Sequence, residues 1–572
     1  MLSLKRLVYV LLIVFGICGL FILYNINENN NKTVTISSQQ VEDKEIISGE
    51  PLQKSEEYYF YVIGSQEKEI YQDIYRNVCQ MMEDMKVPWC KKDTIGKAEL
   101  KNKKAVLVFC DDVVNTYIDL QLLGQFIEKG GKVIMAAGVA EGYEDSYLTP
   151  ILGIVEKTIK ENYQNYHFTK SLFPLQEEYM TYDGYNASTC LSVRSGAKVY
   201  MEDSEKQVPI LYTYPYGKGE TLVINATFLS DNRCMGFLTG GISNLLGEFV
   251  YPVLGTESVY LDNFPIVTYV NDSVCMKLYG RTTEAFVRDV VWPVFQGMTV
   301  RNEIKYTSSV LSVASKQEAF PAISESLFNT MGKSALQYNG EMAYAADCVE
   351  PSTLYKNNDF IENFESTFKN YDISAMVMMS EEPVRESMEI LGTKIKAVRG
   401  KLDAQIPENR MVFLEDYYVF PEATKGVNLE DGEMLAIASV LASYGMVSHT
   451  FDVNNLISID ENSPSWDADR IQLEEFEKRV LGETDYLEKV TLTETKNHLK
   501  SYESLEYTWK KSGNKLEISA NQFVEGQPFF IRTEGKITSA DGGEYESIGN
   551  NYYIIRLNSS KAVLTIGKRE GE

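Results

Sequence analysis

Three histidines, eight cysteines and many carboxylates bound the chemistry open to this 572-residue chain. His167, His449 and His498 stand far apart, and the cysteines at 18, 79, 90, 110, 190, 234, 275 and 348 form no CxxC pair. That spacing excludes a zinc module, and no metal or cofactor is expected. Seven cysteines follow residue 24, so at least one stays free even if Cys79 pairs with Cys90 or Cys190 with Cys234. Buried free thiols are the expected state. His449 lies in Gly445-Met446-Val447-Ser448-His449-Thr450-Phe451-Asp452, a strand-like run ending in a carboxylate. His449 with Asp452 could orient a sugar or act as a weak acid, against the plainer reading of a hydrogen-bonded structural histidine. Trp466 and Asp467 offer an aromatic face and a carboxylate of the kind that stacks on pyranose rings. The same residues also read as a Ser-capped helix start with a packed Trp. A β-branched run from Ile266 to Val270 ends in Asn271-Asp272, and Glu341 and Asp347 add two more oxygen donors.

The elements that must position these groups begin with an apolar span. Leu7 to Tyr24 carries no charge, and at about 1.5 Å per residue it just crosses a hydrocarbon core of roughly 30 Å. Lys5 and Arg6 precede it, so the positive-inside rule puts residues 1–6 in the cytoplasm and the bulk outside. No small-residue cleavage site follows, which favours an uncleaved anchor over a signal peptide. Residues 25–56 are Asn-, Ser-, Gln- and Glu-rich and read as a flexible stalk. With 81 acidic and 55 basic side chains, the net charge of -26 argues against nucleic acid or anionic lipid as a partner. It permits a cationic ligand such as an amino-sugar polymer.

From residue 57 to 255, apolar β-runs alternate with helical stretches: Tyr58 to Gly64, a helix from Glu69 to Met85, Ala105 to Phe109, a helix from Thr116 to Lys129, and Lys132 to Gly138. That alternation predicts a parallel sheet with helices on both faces, of the flavodoxin-like kind. Residues 256–500 continue the alternation, and Thr282 or Thr283 is expected to cap a helix running through Trp292 and Phe295. Residues 501–572 change to short alternating runs divided by Ser512-Gly513-Asn514 and Asp541-Gly542-Gly543, a small β-sandwich. The expected fold class is therefore multidomain α/β with an N-terminal transmembrane helix and a small all-β domain.

The turn Tyr216-Gly217-Lys218-Gly219 feeding Glu220 to Asn225 resembles a phrase of the class I glutamine-amidotransferase-like fold. Those enzymes need a Cys at a strand-to-helix elbow, and here the elbow after the third strand reads Gly138-Val139-Ala140-Glu141. The first domain is thus expected to bind or scaffold rather than catalyse. The middle domain resembles the polysaccharide deacetylases of NodB type, a distorted β/α barrel, and the whole chain resembles the DUF2194 family of exported proteins found near exopolysaccharide genes. In active deacetylases two adjacent Asp end the first strand and an HxxxH supplies further ligands to a divalent ion. Here the corresponding phrase reads Asn271-Asp272, which lacks the base, and Gly340 to Asp347 lacks the imidazoles.

The resemblance implies a catalytically degenerate deacetylase-like protein of exopolysaccharide biosynthesis or export, binding polysaccharide or the synthesis machinery. The alternative is an active carbohydrate esterase or hydrolase with an atypical site. Candidate catalytic residues are Asp272, His449 and Asp452. Candidate sugar contacts are Asp272, Glu341, His449, Asp452 and Trp466. The implied partners are the membrane, a polysaccharide, and synthase or export proteins.

Overall fold

A computed structural model describes residues 44–49, 52, 57–64, 68–141, 147–265, 267, 271–311, 328–346, 371–378, 395–401, 411–414, 417–430, 432–457, 465–549 and 551–567. The predicted anchor at 7–24, Cys18, Cys348 and Asp347 lie outside them. Among the described residues no helix is long and apolar enough to cross a membrane. The chain divides into two compact units. One comprises residues 1–40 and 362–372, of which Tyr371 and Asp372 are described. The other, 41–361 with 373–572, holds everything that follows.

The first sheet forms where the apolar runs predicted it. Strands Tyr59–Ile63 (β1), Trp89–Lys92 (β2), Ala105–Phe109 (β3), Lys132–Met135 (β4) and Gly219–Ile224 (β5) lie parallel in the order β2-β1-β3-β4-β5. All five residues of β3 are buried, as a strand covered on both faces by helices requires. Asp119 caps the helix Leu120–Glu128 by accepting from the backbone N–H groups of Gln121 and Leu122. Gly219 opens β5 because a Cβ there would meet the carbonyl oxygens of Ile127 and Gly131 at 2.2 and 2.3 Å. Beyond β5 the sheet turns antiparallel through Pro209–Tyr216, Lys198–Asp203, Asn165–Phe168 and Tyr179–Thr181.

Phe249–Pro252 (β6) leaves this region and pairs with Gln527–Arg532 near the other end of the chain. The C-terminal part is all-β, two four-stranded sheets around Leu516, Ile518, Phe529, Ile531, Ile555 and Leu564. Val250 of β6 belongs to the same core. Residues 44–49, read as stalk, dock on this part: Ile47 and Phe523 exchange backbone hydrogen bonds of 2.7 and 3.2 Å.

The middle of the chain builds a nearly closed, largely parallel sheet. Its strands are Thr256–Asp262 (β7), Tyr306–Leu311 (β8), Glu341–Ala346 (β9), Ala375–Met378 (β10), Ala397–Lys401 (β11), Tyr417–Glu422 (β12), Thr424–Lys425 (β13) and Met446–Asp452 (β14). Pairing runs β12-β11-β10-β9-β8-β7-β14-β13. Because β12 and β13 are separated only by Ala423, the run that pairs with β11 also reaches β14, which brings the two edges together. The helix Glu433–Tyr444 is buried from Met434 onward and ends at Gly445, whose φ of 63° and close approach to Val253 require a residue without Cβ. Strand ends thereby gather at one rim, and strand starts at the opposite floor.

Candidate functional site

Arg399 of β11 points into the barrel and is 2% exposed. Its two terminal nitrogens donate to the two oxygens of Asp262, the last residue of β7, both at 3.0 Å. Nη1 also donates to the Thr450 hydroxyl at 3.1 Å, and Nη2 lies 3.5 Å from Glu422. Thr450 in turn donates to Glu422 at 2.6 Å, and Ser309 to Asp262 at 3.0 Å. The guanidinium rests 4.9 Å from the centre of the Tyr260 ring. Burial works against its charge, but Asp262 and Glu422 outweigh it and raise the Arg399 pKa. A planar fork facing a carboxylate squarely is the arrangement in which a buried ion pair is best compensated.

The second group at the rim is more open. Asn263, held at φ 56°, donates its side-chain N–H to Asp452 Oδ1 at 2.7 Å, and the backbone N–H of Asn454 donates to the same oxygen at 3.0 Å. Lys425 reaches Asp452 Oδ2 at 3.8 Å and is 42% exposed. The rim thus presents a carboxylate, fixed by a buried amide, and a cation, suited to orient hydroxyl groups by hydrogen bonding.

Of the residues singled out from sequence, Asp452 lies here. The expectation that Asn271-Asp272 ends the first barrel strand is corrected: β7 ends at Asp262, and Asp272 opens the helix Asp272–Tyr279 with Asn271 as its N-cap. Asp272 accepts from the Thr283 backbone N–H at 2.8 Å, which lowers its pKa. Glu341 starts β9 and so sits at the floor, accepting from Thr493 N–H at 3.1 Å and from the Thr307 and Thr493 hydroxyls. Burial pushes its pKa up to about 7.

His449 is on β14 but faces outward, packed on Phe451 and Phe476 with ring centres 4.7 and 4.4 Å away. Its Nε2 donates to the Gly426 carbonyl and its Nδ1 accepts from the Thr424 hydroxyl, both at 2.7 Å. Burial pushes its pKa down to about 4, so it is a neutral structural imidazole. Trp466 is 4% exposed, packed edge-on against Phe286, in a helix whose Ser465 cap accepts from Ala468.

Sequence reasoning missed Asp262, Asn263, Arg399 and Glu422. The available signal was Arg399 itself, a lone cation inside the apolar run Ala397-Val398-Arg399-Gly400, which has to find a carboxylate at a neighbouring strand end. The donors at the rim do not fit the divalent ion that the deacetylase resemblance implies. Both oxygens of Asp262 are taken by Arg399, and its neighbour is the amide Asn263. In the first sheet Cys110 follows β3, but it is fully buried and burial pushes its thiol up, so no thiolate is available there.

No curated protein matches the chain. Among solved structures, a ThuA-like protein from Bacteroides uniformis is similar over 34% of this chain and 94% of its own, at 10% identity and a TM-score of 0.28. A β-galactosidase from Bacillus circulans sp. alkalophilus is similar over 34% of this chain at 12% identity and a TM-score of 0.23, and this chain spans 34% of that enzyme's length. A family 39 glycoside hydrolase from Bacteroides cellulosilyticus is similar over 73% of this chain and 98% of its own, at 9% identity and a TM-score of 0.22. The profile of a family described as "Uncharacterised protein conserved in bacteria (DUF2194)" matches residues 12–341 and 362–554, and the chain belongs to that family.

Proposed function

We propose that this chain binds an extracytoplasmic polysaccharide at the rim of its barrel-like sheet and serves exopolysaccharide synthesis or export. In this reading residues 7–24 anchor it, with residues 1–6 in the cytoplasm and the bulk outside. The middle domain is a distorted deacetylase-type barrel without its chemistry, and the first domain an amidotransferase-like scaffold, a view supported by the parallel order β2-β1-β3-β4. One observation carries the reading. Asp262, the strand-end carboxylate placed to act as a base, is 1% exposed and tied to Arg399, while Lys425 at 42% and Asp452 at 13% stay accessible at the rim, Asp452 held by the buried Asn263. Loss of a base removes transition-state stabilisation without removing groups that hold the ground-state sugar. Carboxylates at the rim and the net charge of -26 favour a cationic, partly deacetylated hexosamine polymer, more so at low salt.

The test compares affinity of the full-length chain for glucosamine oligomers and for their N-acetylated forms, before and after Asp452→Ala. Tighter binding of the free amine and its loss in the variant are expected. Equal affinities, or no loss, overturn the reading, and release of acetate from the N-acetylated oligomer would establish the esterase instead. Protection of residues 57–572 from protease added to intact protoplasts would reverse the proposed topology.

A further inference from the structure

The floor of the barrel-like sheet carries a second open site. The turns at 303–305 and 337–340, which enter β8 and β9, and the segment 481–489, whose Glu488–Lys489 pairs with the start of β7, surround a polar groove of about 860 Å3, within the size range of ligand sites. Three cations line it and each is already neutralised. Arg301 donates twice to Glu477 at 2.6 and 2.7 Å, Lys305 to Glu494 at 2.9 Å, and Lys489 to the buried Glu257 at 2.6 Å. Glu303 and Asp485 line the same groove, exposed and without an ion pair among the described residues. Glu303 closes the helix Trp292–Asn302 at φ 57°, a left-handed position that a glycine would occupy at lower cost. Tyr338 presents a ring that is 39% exposed.

Neutralised cations and unpaired carboxylates leave the groove attractive to positive charge, and an exposed aromatic face suits the flat side of a pyranose. Peptide recognition would call for apolar anchor pockets, and the aliphatic lining here is only Leu481 and Leu487. We propose that the floor groove is a second saccharide subsite, taking a segment of amino-sugar polymer with free amines; this rests on the polysaccharide reading of the rim and extends it. Lys44 pairs with Glu488 at the groove margin at 3.4 Å.

The experiment uses the full-length chain in detergent, glucosamine tetramer and N-acetylglucosamine tetramer as probes, and hydrogen–deuterium exchange to locate protection. The expected result is protection of 299–305, 336–340 and 481–489 by glucosamine tetramer, in addition to the rim at 259–263 and 446–452. Tyr338→Ala with Asp485→Asn, both exposed changes, should remove the floor protection and weaken that site roughly tenfold, the loss expected of truncating an aromatic anchor, while rim protection stays. Protection confined to the rim, or an unchanged floor in the double variant, overturns the second subsite and leaves the rim reading standing. Floor protection without rim protection supports the subsite and overturns the rim. Equal protection by the N-acetylated tetramer overturns the assigned ligand class, and no protection anywhere overturns both.

Discussion

Two buried carboxyl sites at opposite ends of the barrel-like sheet are satisfied in opposite ways. At the rim, Asp262 and Glu422 share a guanidinium, so charge is cancelled by charge. At the floor, Glu341 is 8% exposed and is met only by hydroxyls and a backbone N–H. A carboxyl buried among neutral donors gives up its charge more readily than its position, whereas one facing a fork keeps both. The rim pair should therefore suffer from loss of a partner, while Glu341 should respond to pH.

Removing the fork is the most severe way to break that contrast. Arg399→Met leaves Asp262 and Glu422 buried without a cation and should cost about 3–5 kcal/mol in denaturant unfolding. Arg399→Lys should recover only part of this, because an ammonium cannot face both Asp262 oxygens. A loss below about 1 kcal/mol would show that the pair is solvated and the rim open.

Titration sharpens the contrast next. With a folded pKa pushed by burial to about 7, above the ordinary 4.5, Glu341 favours the folded state when protonated, so its contribution is present below pH 4.5 and lost as pH rises through 7. The difference in stability between wild type and Glu341→Gln should therefore change by about 3 kcal/mol across that window. His449 has the opposite sign. Its folded pKa of about 4 lies below the ordinary 6.5, so its contribution is full above pH 6.5 and lost as pH falls through 4. His449→Gln should flatten the acid limb of the wild-type curve by a similar amount, about 3 kcal/mol. Thermal unfolding between pH 4 and 8 measures both, and parallel curves for wild type and Glu341→Gln would refute the account of the floor.

Smaller effects follow from capping and from exposed charge. Thr491 and Glu494 form a capping box at the start of the floor helix Leu492–Ser504, and Thr491→Ala should cost about 1 kcal/mol. Lys425→Ala at the rim removes an exposed contact of 3.8 Å and should change stability by less than about 1 kcal/mol. A larger effect would mean that Lys425 shapes the rim rather than merely facing it.

Much of this framework was legible because buried parallel strands are continuous apolar runs. Tyr59–Ile63, Ala105–Phe109 and Lys132–Met135 stand within a few residues of their predicted bounds. A cap at Thr282 or Thr283 was legible too, and it is Thr282 that accepts from Ala285. The rim was not, for a definite reason. The β-branched run Ile266 to Val270 follows Asp262 closely and invites placing the strand end at Asn271-Asp272. His449 misled because one residue of register separates the lumen from the outer face: Thr450 meets Arg399, and His449 meets Phe476. Glu341 was chosen for its carboxylate, but the start of a strand and its end lie at opposite faces of a barrel.

The pairing of Phe249–Pro252 with Gln527–Arg532 governs the order in which the molecule can be completed. A ribosome releases β6, which ends at Pro252, well before the strand that covers it, which begins only at Gln527. Until then Phe249, Val250 and Tyr251 wait as an uncovered apolar edge, and closing so long a loop is slow. The C-terminal part therefore behaves as a clasp, and truncation at residue 500 should leave a chain that aggregates rather than a shorter soluble one.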